Sequence, residues 1–196
     1  MNQQEAQLEL QKQASESSVL RQAVVEQLGE RLFEFAALVS GVIGSGGKLL
    51  IAGNGGSAAM ASHLAAELVI RLTSERSRQS LPAIALTADT AVLTAAGNDF
   101  GFENIFARQV EGLGNKGDML IVMSTSGNSE NLIRAVKTAT QQNLISVALL
   151  GGDGGKLAKI LERPLIIPHP STQRIQEEHL FLIHQLVEMV ERDLFA

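Results

Sequence analysis

Five short stretches of this chain hold nearly unbroken apolar runs, at Lys48–Gly53, Pro82–Thr87, Asp118–Ser124, Ile145–Leu150 and Pro164–Pro168. A strand with one wet face alternates apolar and polar residues, whereas a strand apolar throughout is covered on both faces. Between these runs, apolar residues recur at three- and four-residue spacing. Helices are therefore predicted at Ser57–Arg71, Thr90–Ala96, Glu103–Leu113 and Ser129–Gln142, with a short one at Gly155–Leu161 and a long last one at Thr172–Phe195. Strands alternating with helices predict an α/β fold, a doubly wound five-stranded parallel sheet in an αβα sandwich. Ahead of the first strand, Leu20, Val24, Val25, Leu28, Leu32, Phe33, Phe35, Ala36 and Leu38 recur at helical spacing until Gly41, Gly44, Gly46 and Gly47 stop it. Residues 1–46 are thus read as N-terminal helices and 47–196 as the α/β core with its C-terminal helix. All 196 residues form one domain.

Composition narrows the function. Lys and Arg total 16 against 21 Asp and Glu, and a net charge of −5 disfavours nucleic acid and anionic membrane as partners. There is no Cys, which excludes a disulfide scaffold, a thiolate metal site and a cysteine nucleophile. Any metal would be held by nitrogen and oxygen. Met1–Glu16 is polar and lacks the apolar stretch of a secretion signal. No window approaches the roughly 18 uncharged apolar residues of a membrane span, so a cytoplasmic protein is expected.

In an open parallel sheet, ligands sit beyond the carboxyl ends of the strands, where strand order reverses. For a 2-1-3-4-5 order that point lies between the first and third strands, and the chain's two most loop-like polar segments follow those strands. The first is Gly53-Asn54-Gly55-Gly56-Ser57, whose glycines let backbone approach a ligand and whose Ser57 is placed to cap the next helix. Gly53, Gly55 and Ala58 also match a dinucleotide fingerprint. That fingerprint needs an acid about 20 residues on, and the nearest acid after the second strand, Asp89, comes too late. The second loop, Ser124-Thr125-Ser126-Gly127-Asn128-Ser129, puts four hydroxyls around a glycine directly before a helix. This suits a phosphomonoester held by hydroxyls and helix N–H groups, without the Lys of a P-loop. Ordinary tight turns and Ser/Thr caps would use the same residues; their joint place at the switch point favours a ligand.

His63 and Glu67 stand four apart on the second helix and share a face. Such a pair suits a divalent metal or a proton transfer, and equally an ordinary solvated pair. On the last helix Gln176 and His184 are eight apart, about 12 Å along a straight helix. They reach one ion only with extended, converging side chains, or else serve a shared site from different subunits. His179 is displaced around this helix and reads as a surface or capping residue. His169, between Pro168 and Pro170, reads as structural or exposed.

With these motifs in order, the sequence resembles the phosphoheptose isomerases of the sugar-isomerase (SIS) domain family, over nearly the whole chain. The resemblance rests on Gly53–Ser57, on His63 with Glu67, on Gly97-Asn98-Asp99-Phe100-Gly101, on Ser124–Ser129, and on Arg174-Ile175-Gln176 with His184. It implies a flavodoxin-like SIS domain that converts sedoheptulose 7-phosphate to D-glycero-D-manno-heptose 7-phosphate, the first step toward the heptose of bacterial lipopolysaccharide. It implies a homotetramer with active sites at subunit interfaces, assembled through the N-terminal helices and the long last helix. It also implies one zinc per subunit, with ligands falling on His63, Glu67, Gln176 and His184. Sugar-phosphate contacts fall on Asn54, Gly55, Gly56, Glu67, Asn98, Asp99, Ser124, Thr125, Ser126, Ser129 and Gln176. The proton-transfer pair falls on Glu67 and His184. A carboxylate gripped by a metal is a poor free base, so Glu67's two duties compete.

One departure is the loop before the second strand. The family often has a short Arg-Pro-Gly turn there, whereas Ser74–Ser80 is longer and lacks proline until Pro82. Two other readings keep the fold. A non-catalytic SIS adaptor that binds the replication initiator would lack the carboxylate at Glu67 and the imidazole at His184. An SIS isomerase of another sugar phosphate would keep both.

Overall fold

The computed structural model describes residues 1–195. Helix α1 (Gln3–Gly44) precedes strand β1 (Leu49–Gly53), and α2 (Gly56–Val69), β2 (Ala83–Ala85), α3 (Thr90–Phe100) and α4 (Ile105–Leu113) follow. Then come β3 (Met119–Ser124), α5 (Glu130–Gln141), β4 (Ile145–Gly151), β5 (Leu165–Ile167) and α6 (Thr172–Phe195). The sheet order is β2-β1-β3-β4-β5 and every pairing is parallel.

The unbroken apolar runs have a direct cause. Leu49, Ile51, Met119, Ile121, Met123, Val147 and Leu149 face α1, α2 and α6. Their neighbours Leu50, Ala52, Leu120, Val122, Ala148 and Leu150 face α4 and α5. Every residue of the central strands β1 and β3 is thus buried on one side or the other, and no position there is left for a polar alternation. At the amino end of the sheet, Lys48 Nζ lies 2.5 Å from Asp118 Oδ2, and Asp118 also accepts from the N–H groups of Lys48 and Asn115. Burial alone would raise the Asp118 pKa, but the Lys48 ammonium and these N–H donors outweigh it and hold the carboxyl below its usual value.

Several elements differ from the sequence expectation. The N-terminal segment is one helix of 42 residues, not several. Its first turns project past the core with Leu8, Leu10 and Val19 exposed. The region 155–161 is a single 3-10 turn at Leu157–Lys159, because Gly152, Gly154 and Gly155 all take positive φ and leave no length for a helix. Helix α3 continues through Gly97 to Phe100, and a 3-10 turn at Phe102–Asn104 precedes α4. Edge strand β2 is three residues long, since it pairs only with β1. No helix among the described residues is long and apolar enough to cross a membrane.

His179 is neither a surface nor a capping residue: it is 0% exposed and its Nε2 lies 3.1 Å from the Leu150 carbonyl. The helix pattern places it off the site-bearing face correctly, but that side is the one α6 presses onto β4. A carbonyl only accepts, so Nε2 carries the proton and Nδ1 is left buried without a partner. Burial, only partly offset by the Leu150 carbonyl, pushes its pKa from 6.5 down to about 4. The unfolded chain therefore takes up this proton before the folded one does. Stability is complete above pH 6.5 and falls as the pH drops toward 4, by at most about 3 kcal/mol from this group. Thermal unfolding of the parent and of His179→Asn across pH 7.5 to 4.5 should show a steeper acid decline in the parent; parallel curves would contradict the assignment.

Candidate active site

Both loops following β1 and β3 lie at the carboxyl edge of the sheet, at its switch point. The first ends with Gly55 at the N-cap of α2, where no side chain caps the helix. Ser57 is not the cap; it lies buried inside the first turn. The second ends with Ser129 at the N-cap of α5, again with no side-chain cap bond. At α2 the Ser57 and Ala58 N–H groups turn back onto the carbonyls of Asn54 and Gly55, so among the described residues Gly56 there, and Glu130 and Asn131 at α5, keep first-turn N–H groups for an anion.

The loops are braced by their own hydrogen bonds. Ser124 Oγ accepts from the Gly127 N–H at 3.0 Å, and Asn128 Nδ2 donates to the Ser126 carbonyl at 2.8 Å. Gly127 has φ +63, and a Cβ there would stand 1.9 Å from the Gly154 carbonyl oxygen, so only glycine lets these two loops meet. Thr125 is half-buried and Ser126 exposed at the rim. The side chains of Asn54 and Asn131 exchange two hydrogen bonds of 2.9 and 2.8 Å, tying the β1 loop to the first turn of α5. Asn131 was not singled out from sequence. Its signal was a polar residue beside Leu132 and Ile133 on a buried helix face.

The acid–base residues gather on the opposite face, along the seam between α2 and α6. Both helices follow parallel strands, so they start at the same edge and run side by side in the same direction. Gln176 meets Gly56 in the first turn of α2, where a Cβ would fall 2.6 Å from Gln176 Nε2. Two turns on, His184 meets His63, with their Nε2 atoms 2.8 Å apart and the rings edge-to-face at 71°. Glu67 Oε1 lies 3.7 Å from His63 Nδ1. Glu67 Oε2 is buried with no hydrogen-bond partner. One imidazole donates and the other accepts across the 2.8 Å contact, so the pair holds a movable proton next to a carboxylate with a free oxygen.

His63, Glu67 and His184 are thus brought together within one chain, and Gln176 is not. The roughly 12 Å between Gln176 and His184 is taken up by two successive contacts with α2. Two imidazoles and a carboxylate with a vacant oxygen are a donor set that suits zinc. Among the described residues, however, no three His, Asp or Glu side chains already surround a common point. The imidazoles face each other instead. Asn98 and Asp99 lie exposed in the last turn of α3, hydrogen-bonded to each other at 2.7 Å, with no bond to either loop among the described residues. His169 is structural, its Nδ1 accepting from the Ser171 N–H.

The SIS domain family matches residues 14–151. The phosphoheptose isomerase of Geotalea daltonii is 44% identical over 188 residues, covering 96% of this chain and 97% of that protein. That of Aquifex aeolicus is 49% identical over 176 residues, covering 90% and 91%. Among solved structures, the phosphoheptose isomerase of Neisseria gonorrhoeae superposes with a TM-score of 0.89 at 42% identity, covering 95% of this chain and 99% of that one. That of Francisella tularensis superposes with a TM-score of 0.91 at 35% identity, covering 95% and 98%. With this fold in common and this degree of identity along almost the full length, the chain belongs to the phosphoheptose isomerase family of SIS-domain sugar-phosphate isomerases.

Proposed function

We propose that this chain converts D-sedoheptulose 7-phosphate to D-glycero-D-manno-heptose 7-phosphate through an enediol, at the start of heptose synthesis for lipopolysaccharide. The observation that carries this reading is the convergence of Glu67, His63 and His184 on one seam of a fold whose loops offer two uncapped helix starts to a phosphate. The reaction moves a proton between C1 and C2 and needs a base at carbon and an acid at the carbonyl oxygen. Glu67, through its unpartnered Oε2, takes the proton from C1 and returns it to C2. His184, hydrogen-bonded to His63, donates a proton to the C2 carbonyl oxygen as the enediol forms and takes one from the C1 hydroxyl as the aldehyde forms. Thr125, Ser126 and Ser129, with the N–H groups at the start of α5, hold the phosphate, and that remote binding energy orients the reacting carbons. Gln176, against Gly56, belongs to the sugar-binding group.

A zinc ion at each subunit would be held by His63, Glu67 and His184, and its chemistry would be to polarise the carbonyl. Holding it requires the two imidazoles to part. Gln176 is better placed as a substrate contact than as a ligand. We further propose a homotetramer in the cytoplasm whose neighbours complete the site. Three observations support assembly. The His63 side chain is 37% exposed, the Asn98–Asp99 turn faces solvent, and the first turns of α1 carry exposed leucines.

Glu67→Gln keeps the shape and loses the base. Turnover of sedoheptulose 7-phosphate should fall by at least about 100-fold with the assembly intact, and turnover near the parent's would refute the assignment. Chelation should lower turnover and added zinc restore it; an enzyme indifferent to both would leave His63 and His184 with proton transfer alone.

A further inference from the structure

The loop between α2 and β2, whose stretch Ser74–Ser80 departs from the family pattern, is anchored by a buried side chain. Arg78 has a side-chain exposure of 0%. Its Nε donates to Glu191 Oε1 at 2.7 Å, its Nη1 to the carbonyls of Leu68 and Gln79 at 2.8 and 2.9 Å, and its Nη2 to the carbonyl of Glu67 at 2.7 Å. The partner carboxylate, Glu191, is 3% exposed, and its Oε1 also accepts from the Leu72 N–H at 3.3 Å. The guanidinium therefore caps the last carbonyls of α2 and bonds at the same time to α6.

The place of this bridge along the seam gives it meaning. Glu67 and Leu68 follow His63 by four and five residues, and Glu191 follows His184 by seven. Arg78 thus ties the two helices together one to two turns beyond the point where their imidazoles meet. A buried ion pair gains little net stability over apolar packing of the same volume, but its directional bonds allow one arrangement only. The carboxylate of Glu67 has no partner for Oε2 and only a long contact through Oε1, so its own bonds do not fix it. Its backbone does, through the Arg78 bond to its carbonyl.

We propose that Arg78, with Glu191 as its counter-ion, is a positioning residue of the isomerase: it sets the register of α2 against α6 so that Glu67 stands beside the His63–His184 pair. This rests on the reading of Glu67 and His184 as the proton-transfer groups. The test compares kcat and KM for sedoheptulose 7-phosphate in Arg78→Lys, Arg78→Gln, Glu191→Gln and Glu67→Gln, with circular dichroism and thermal unfolding of each. Lysine keeps the charge but cannot reach three acceptors in the guanidinium fork. Both Arg78 variants should lose kcat with KM within about twofold, Arg78→Gln by roughly 100-fold and Arg78→Lys by less, a partial rescue. Glu191→Gln, which leaves the Arg78 bonds to α2 in place, should show the same kcat-only loss in milder form, and it decides together with Arg78→Lys if Arg78→Gln does not fold. Folded Arg78→Lys and Glu191→Gln proteins with a lowered melting temperature but the parent's kcat would overturn the proposal and leave Arg78 a stabilising residue. If Glu67→Gln is inert while those two retain full kcat, only the positioning claim falls. If Glu67→Gln turns over normally, the proton-transfer reading falls and the positioning claim with it.

Discussion

Parallel strands force every following helix to begin at the same edge of the sheet, and the candidate site depends on that constraint. Helices α2 and α6 lie on one face and follow β1 and β5, so they run side by side in the same direction. Residues then meet in the same order along the two helices: Gln176 with Gly56, His184 with His63, and Glu191, through Arg78, with the end of α2. An antiparallel pairing would place His184 far from His63. The same constraint puts the starts of α2 and α5 together at the switch point, the edge at which open parallel sheets take their ligands.

Helix α6 is held from both sides. On one side α1 grips it through Arg21, which donates to the buried Glu178 at 2.7 Å and covers the ring of Phe181 at 4.2 Å, and through Arg174, which reaches Ser17 and the Gln13 carbonyl. On the other side is the α2 seam. Beneath it, His179 bonds to β4. Most of the burial energy lies in the aliphatic layers above and below the sheet. The polar contacts contribute less to stability and more to direction, since each is satisfied in one register.

Much of this was legible in the sequence, for physical reasons. The double-sided burial of β1, β3 and β4 reads as unbroken apolar runs, and Gly53–Ser57 and Ser124–Ser129 are placed side by side at the switch point because they follow the first and third strands of a 2-1-3-4-5 sheet. What was not legible depends on partners distant in sequence. The spacing of Gln176 and His184 left open whether they converge; their separation is absorbed by contacts with two different turns of α2. His179 was placed off the active face, but periodicity alone does not say that this side meets a strand. Arg78 stands in a segment with no helical or strand pattern to flag it, Asn131 shows only as a polar residue on a buried helix face, and the partners of both are carbonyls and amides supplied by other elements. The longer loop at Ser74–Ser80 is visible as a departure, whereas the bonds that anchor it through Arg78 reach α2 and α6 and leave no mark in the loop's own sequence.

The most direct test of the account is the initial rate of aldose phosphate formation by the parent protein from sedoheptulose 7-phosphate, with fructose 6-phosphate as the matched substrate. The account predicts steady turnover of the heptulose and little or none of the hexulose. No turnover of either, or equal turnover of both, would contradict it.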